Sequence, residues 1–348
     1  MSSNYILSNA LSTASVIGLR ETELMSFECS VDLAFLCCPC TDNGDLTQVT
    51  DDEIVCKLCD RHCRVVAGRP ILIDESRSIF SSEEVAQTGD VRQFPNDSGW
   101  RYQIRRMIPA AASRDVSSLL LEKHRALLPD DPTVLIIGCG VGADQYRKLF
   151  PTGHIFPTDV TLQGDAVVAC DGACLPFRDQ TLDCVVVDQV LEHALNPAAI
   201  VSEIHRCLKV GGIVYSGVPF HTPVHGFPFD FQRYTPLGHR MLFGRFQGLE
   251  VCITQGPVSA LSKTVIGFFS SVSNNLWWGR FSSAGVRLLV SPMLWLDLRY
   301  TSAKELSIPA ASAFLGRKQE SEVSPRTLIS NWSSGHRERV GQVFLRTK

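Results

Sequence analysis

The chain has 348 residues, 45% of them hydrophobic, and a formal net charge of −3. That suffices for one large domain plus a small module, and it carries no global nucleic-acid signature. No stretch reaches the roughly eighteen clean apolar residues of a membrane span. No signal-like segment opens the sequence, so a cytoplasmic protein with reduced thiols is expected.

Residues 1–30 are Ser-rich and weakly patterned. Residues 31–80 hold six of the 13 cysteines. Cys37 and Cys40, then fifteen residues, then Cys56 and Cys59 have the spacing of a zinc ribbon. Each knuckle turns two sulfurs to one side, and four thiolates close a tetrahedral, structural shell. Cys38, His62 and Cys63 read as non-ligands. The module also resembles the small zinc-ribbon proteins that activate RNA and protein methyltransferases. Leu36-Cys37, the paired knuckles and Gly68-Arg69-Pro70-Ile71-Leu72-Ile73 carry that resemblance. Residues 81–114 read as a connector.

A regular pattern starts near residue 115. Leu120, Leu121, Leu127 and Leu128 predict an amphipathic helix. Val134-Leu135-Ile136-Ile137 is a short apolar run, the mark of a strand buried on both faces. Residues 143–150 can form a helix, and residues 155–160, 166–169 and 184–187 are further strands. Asn196-Pro197 predicts a helix start, with Asn as cap and Pro in the first turn. Gly211-Gly212 is expected to end that helix before a strand at Ile213-Val214-Tyr215. Alternating strands and helices imply a parallel α/β sheet covered on both sides.

Gly138-Cys139-Gly140-Val141-Gly142 lies between a strand and a helix, where a tight turn and bare backbone suit a ligand. Alone it also fits a dinucleotide fingerprint, with Asp159 as the ribose acid. The stretches Asp171-Gly172-Ala173-Cys174-Leu175-Pro176-Phe177, Leu182-Asp183, Val190-Leu191-Glu192-His193 and Leu208-Lys209-Val210-Gly211-Gly212 favour another cofactor. With the glycine loop they resemble the type-11 branch of the class I S-adenosylmethionine (SAM) dependent methyltransferases, over about residues 115–235. That resemblance implies a Rossmann-like fold and SAM at Gly138, Cys139, Gly140 and Gly142. It implies Asp159 on the ribose and Asp171 toward the adenine, with Gly172 and Gln189 completing the site. Two positions depart from the family pattern. Ile136 stands where an acid is frequent, and Val210 where proline is usual.

Residues 217–245 are rich in Pro, His, Phe and Arg. The run from Pro219 to Thr235 is similar to a segment of bacterial methyltransferases placed among glycan-biosynthesis enzymes. His193 and His225 are candidate general bases, and Asp230 a candidate for orienting a histidine or binding a hydroxyl. Glu192 reads as a cap or packing partner. Residues 256–300 form an apolar helical insertion, with Phe268, Trp277, Trp278 and Trp295 edged by Lys263, Arg280, Arg287 and Arg299. Such a stretch suits peripheral contact with the inner membrane face or a lipid-linked glycan acceptor, or ordinary packing. Residues 319–348 read as a polar tail closing a domain of residues 115–318.

The expectation is a SAM-dependent O-methyltransferase acting on a glycan or glycolipid-like molecule, with a structural zinc ribbon. The alternatives are an RNA or protein methyltransferase, or a SAM-binding scaffold that recruits a partner through its ribbon. The low charge argues against a nucleic-acid partner.

Overall fold

The structure, a computed structural model, describes residues 31–40, 42–88, 116–272, 276–297, 308–320 and 323–333. The Ser-rich start, most of the connector and the end of the tail lie outside the described residues. Two sheets are present. One has the order β1-β2-β3-β4, and the other has seven strands in the order β10-β11-β9-β8-β5-β6-β7. The chain divides into two compact units. The first holds residues 1–93, 125–187 and 196–214, and the second residues 94–124, 188–195 and 215–348.

In the first unit, β1 (Leu46–Thr50), β2 (Glu53–Cys56), β3 (His62–Val66) and β4 (Arg69–Pro70) form an antiparallel meander. This small sheet is joined to the larger one. Ile71 bridges Ala169 in parallel, and the Leu72 amide donates to the Ala169 carbonyl at 2.8 Å. Buried Arg69 donates to the carbonyls of Leu162 (2.9 Å) and Ala166 (3.3 Å). Helix α1 (Ser82–Thr88), within the expected connector, packs Val85 on Ile71, Ile73 and Leu162.

Strand β5 (Thr133–Ile137) is buried along its whole length. It pairs in parallel with β6 (His154–Asp159) on one side and β8 (Leu182–Asp188) on the other. Cover on both faces explains the unbroken apolar run, and full burial of each such side chain contributes roughly 1.5–3 kcal/mol. Strand β7 (Val168–Ala169) extends the edge beside β6. Helix α3 (Asp144–Leu149) follows the glycine loop. Helix α4 (Pro197–Cys207) starts as expected, with the Asn196 side chain accepting from the Ala199 amide at 3.2 Å.

Gly211-Gly212 does not end α4. The helix stops at Cys207, and strand β9 (Leu208–Pro219) already runs through both glycines. Gly211 has φ +85°, a left-handed residue inside the strand. A side chain at Gly212 would come within 3.0 Å of the Asp183 and Lys209 carbonyls. The pair serves a bend and a close backbone approach.

In the second unit, helix α2 (Val116–Lys123) ends before Leu127, which belongs to the first unit, sits in a separate short turn at Arg125–Leu127 and is exposed. Strands β10 (Phe246–Gln255) and β11 (Ala311–Lys318) pair antiparallel, so the sheet is mixed and not wholly parallel. Helix α5 (Pro236–Leu242) starts at a Thr235 cap and buries His239 and Arg240. The apolar stretch folds as helices α6 (Pro257–Ser271), α7 (Leu276–Val290) and α8 (Leu294–Asp297). The expected polar tail contains helix α9 (Pro325–Ser333), with Leu328 buried.

Candidate active site

The glycine loop follows β5 directly. Gly138 and Gly140 have φ +68° and +51°, a left-handed region that favours glycine. At Gly140 an added side chain would meet nothing within 4 Å, so the bare backbone opens onto free space. The loop is held from beside and below. The Cys139 amide donates to the Thr158 carbonyl at 3.0 Å, and the Ala143 amide to the Asp165 carboxylate at 3.0 Å. Gly164, φ +71°, lies so near the Gly140 carbonyl that a Cβ there would be 2.1 Å away. Cys139 is buried, and burial pushes its thiol up to about 12, so it is a neutral wall.

Asp159 ends β6 and is only 3% exposed. It accepts from the Gly140 amide (3.3 Å) and the Thr161 amide (3.3 Å). Asp171 accepts from the Ala173 amide at 2.9 Å and from the Ser78 hydroxyl at 2.6 Å. It is thus an N-terminal cap for the turn Gly172–Cys174 and an anchor for the segment leaving the ribbon. Buried Gly172 packs against Ile137 and Ile200. An open bare-backbone turn with a buried acid beside it fits a nucleoside with a charged amino-acid tail.

Four thiols gather in the ribbon, those of Cys38, Cys40, Cys56 and Cys59, all within 4.8 Å of one another. Cys38 stands where Cys37 was expected. The extended chain turns successive residues to opposite sides. The Cys37 amide donates to the Pro176 carbonyl, whereas the Cys38 amide donates to the Gly44 carbonyl inside the ribbon. Cys37 is buried, burial raises its thiol to about 11, and its sulfur lies outside the four-thiol group, so it is a core residue. The Cys38 and Cys59 sulfurs are 3.8 Å apart. Two sulfurs each about 2.3 Å from one tetrahedral zinc would be separated by nearly that distance. Gly44 is required there, since a Cβ would sit 2.6 Å from the Cys56 sulfur. The donor set therefore fits zinc.

In the second unit, Glu192, His193 and His225 converge, with one ligand atom of each within 4.8 Å of the others. Glu192 is completely buried, and neither carboxylate oxygen has a hydrogen-bond partner. Its Oε1 lies 3.7 Å from Nε2 of His193 and 3.7 Å from Nε2 of His225. The two imidazole rings meet edge to face at 5.0 Å. Nδ1 of His193 bonds the Phe229 carbonyl. The Glu192 carboxylate raises the pKa of His225 above the ordinary histidine value, against an opposing effect of burial. Asp230 accepts from the His225 amide at 2.7 Å and is gripped by two guanidinium nitrogens of Arg233. Burial alone would raise its pKa, but Arg233 holds it down at about 2. Asp230 orients the His225 backbone and pairs with Arg233.

Sequence reasoning missed two residues here. Glu192 reads from sequence as a cap or packing partner, although a carboxylate directly before a histidine and after apolar Leu191 is itself a signal. Lys263 was read as a basic edge of a membrane face. It is instead half-buried, donates to the Thr222 hydroxyl at 3.1 Å, and is lowered to about 8 by burial and then by Arg233. Gln189 has φ +55° and donates its amide to the Gly217 carbonyl at 2.9 Å. Leu294, within the apolar stretch of residues 256–300, is buried. The side chains of Trp277, Trp278 and Arg280 lie outside the described residues.

Residues 135–216 match the family model described as a methyltransferase domain. A 37.1 kDa protein of a Streptomyces fradiae transposon is 27% identical over 45% of this chain and 48% of its own length. A Methanocaldococcus jannaschii protein is 38% identical over 23% of this chain and 42% of its own length. The chain thus spans less than half of each of these curated relatives. Among solved structures, the complex of the Haloferax volcanii Trm112 methyltransferase activator with a methyltransferase gives 18% identity and a TM-score of 0.36. The overlap covers 59% of this chain and 95% of that one. Haemonchus contortus phosphoethanolamine N-methyltransferase 2 gives 15% identity and a TM-score of 0.40, over 65% of this chain and 62% of that one.

Proposed function

We propose that this chain, which carries a SAM-dependent methyltransferase domain, transfers the methyl group to a hydroxyl oxygen of a glycan or glycolipid-like acceptor. The observation that carries the oxygen acceptor is the Glu192–His193–His225 cluster, a proton-accepting group backed by a buried carboxylate. The glycan class is supported by the resemblance of the run from Pro219 to Thr235. SAM, when bound, supplies a methyl group on a sulfonium leaving group. Gly138, Gly140 and Gly142 give it bare backbone, Asp159 accepts from its ribose hydroxyls, and Asp171, Gly172 and Gln189 border the base. His193 or His225 takes the acceptor's proton as the oxygen–methyl bond forms and the sulfur–methyl bond breaks, leaving a neutral thioether. Aligning the two reactants accounts for most of the acceleration, about 7–11 kcal/mol in well-oriented systems.

Zinc in this reading is structural and held by Cys38, Cys40, Cys56 and Cys59. Peripheral membrane contact is the further part of the proposal. Phe268, Leu288, Leu289 and Trp295 on α6, α7 and α8 are exposed, Leu289 by 77%. No helix among the described residues is long and apolar enough to cross a membrane, so such contact would be superficial. Vesicle flotation with anionic lipids checks it, and a protein that stays in the aqueous phase at low salt rules it out. The main reading is tested by radiolabelled methyl transfer from SAM into separated lipid, glycan, RNA and protein pools. Label in the glycan or glycolipid pool is expected. Label confined to RNA or protein would replace the acceptor with the one suggested by the ribbon.

A further inference from the structure

The geometry points to a divalent transition-metal site formed by Glu192, His193 and His225, separate from the ribbon, that binds the acceptor hydroxyl. This deepens the proposed function and rests on its oxygen acceptor. Nδ1 of His193 faces the Phe229 carbonyl, which can only accept. A neutral His193 therefore carries its proton on Nδ1 and leaves a lone pair on Nε2. Nδ1 of His225 faces the Pro223 carbonyl at 3.2 Å and the Asp230 carboxylate at 3.5 Å, again acceptors. The one donor near it is Arg233, at 3.3 Å, and that guanidinium already binds Asp230 and the Gln232 and Pro223 carbonyls. With its proton on Nδ1, donated to those acceptors, His225 likewise presents a lone pair on Nε2.

Two Nε2 lone pairs then face a carboxylate that is wholly buried and has no donor on either oxygen. A cation at that point, either a proton on His225 or a metal ion shared by all three groups, offsets the cost of burying the carboxylate. Each Nε2 lies 3.7 Å from Oε1. Atoms so placed can share one ion at the usual metal–ligand length of about 2.1 Å, at an angle near 120°. The backbone carbonyls that hold the Nδ1 protons are the outer supports that metal-bound histidines need.

The loop carrying His225 is fastened to the cluster. The Phe231 amide donates to the Glu192 carbonyl at 2.8 Å. Gly226, φ +71°, lets its bare Cα lie against the His193 ring. The histidine side chains are 28% and 39% exposed while Glu192 is closed off, so the open coordination positions face outward. Two imidazoles and one carboxylate suit zinc, cobalt or iron(II). A hydroxyl bound at an open position loses its proton to water more readily. The resulting oxygen lone pair forms the bond to the methyl carbon as the sulfur–methyl bond breaks. Under this assignment His193 and His225 act as ligands, and the proton departs to solvent.

The test is equilibrium dialysis of the full chain against micromolar free Zn²⁺, with bound zinc counted by elemental analysis. The wild type is expected to hold one more zinc per chain than E192Q or H225A. C59S should lose a different equivalent, so that E192Q combined with C59S loses both. H225A, at a partly exposed side chain, serves if E192Q does not fold. Equal zinc in the wild type and H225A overturns the site. If zinc is lost in these variants but the methyl label enters a non-hydroxyl acceptor, the acceptor reading fails and the metal site stands. If label enters hydroxyl acceptors and zinc counts are equal, the site fails and the acceptor reading stands.

Discussion

Gly226 and His193 are in direct contact: a side chain at Gly226 would place its Cβ 2.7 Å from Cε1 of the imidazole. The glycine is also left-handed, at φ +71°. Gly226→Ala should therefore both strain the loop and push the ring off Glu192. The expected result is a fall in methyl transfer of roughly tenfold to a hundredfold, the cost of a small misplacement. SAM affinity should not change. Initial rates and calorimetry on the same preparation separate the two effects, and an unaltered rate would show that the ring position does not matter.

His193→Ala should lower turnover by about 10²–10⁴, the range for loss of a general base, with SAM affinity retained. The same loss follows if His193 is a metal ligand. Activity near that of the wild type in both His193→Ala and His225→Ala would remove the cluster from the chemistry.

Calorimetry should show binding of SAM and none of NAD. Asp159→Ala should weaken SAM by about 1.5–3 kcal/mol, since a charged acceptor of hydrogen bonds is lost. Because Asp159 also accepts from the Gly140 amide, Asp159→Asn is the better test of charge alone. NAD binding without SAM would reverse the cofactor assignment.

The choice between Cys37 and Cys38 gives a sharp metal prediction. Cys38→Ser should lose the ribbon zinc and destabilise the module, because metal binding is coupled to folding. Cys37→Ser should keep it, since that thiol lies outside the four-sulfur group. Elemental analysis of the two variants decides, and zinc lost from Cys37→Ser alone would restore the spacing-based assignment.

His239 is buried and bonded to the Ser216 hydroxyl at 2.9 Å, and burial lowers it from 6.5 to about 3. Above pH 6.5 neither the folded nor the unfolded chain protonates it. Between 6.5 and about 3 only the unfolded chain does, so its contribution to stability is lost as pH falls through that window. Denaturant unfolding at successive pH values should show a shallower decline in a His239→Leu, Ser216→Ala double variant. Parallel declines would mean that other groups dominate.

The sequence by itself determined the features that depend on local pattern. The run Val134 to Ile137 reads as a doubly buried strand because its apolar residues are contiguous. Gly138 and Gly140 read as a ligand turn because few other residues adopt that backbone, and Asn196-Pro197 reads as a helix start because its capping chemistry lies within four residues. Tertiary structure decided what depends on direction and distant neighbours. Cys37 and Cys38 are adjacent and chemically identical, and their amide partners, Pro176 and Gly44, accompany the turning of one to the core and the other to the four-thiol cluster. Gly211-Gly212 has the composition of a helix end, yet the bend lies in a strand because the Asp183 carbonyl packs against it. Glu192 stays without a donor, and Lys263 loses its charge readily, because of groups from other segments that surround them. Side-chain direction and burial are set by packing across the fold, and spacing along the chain does not encode them.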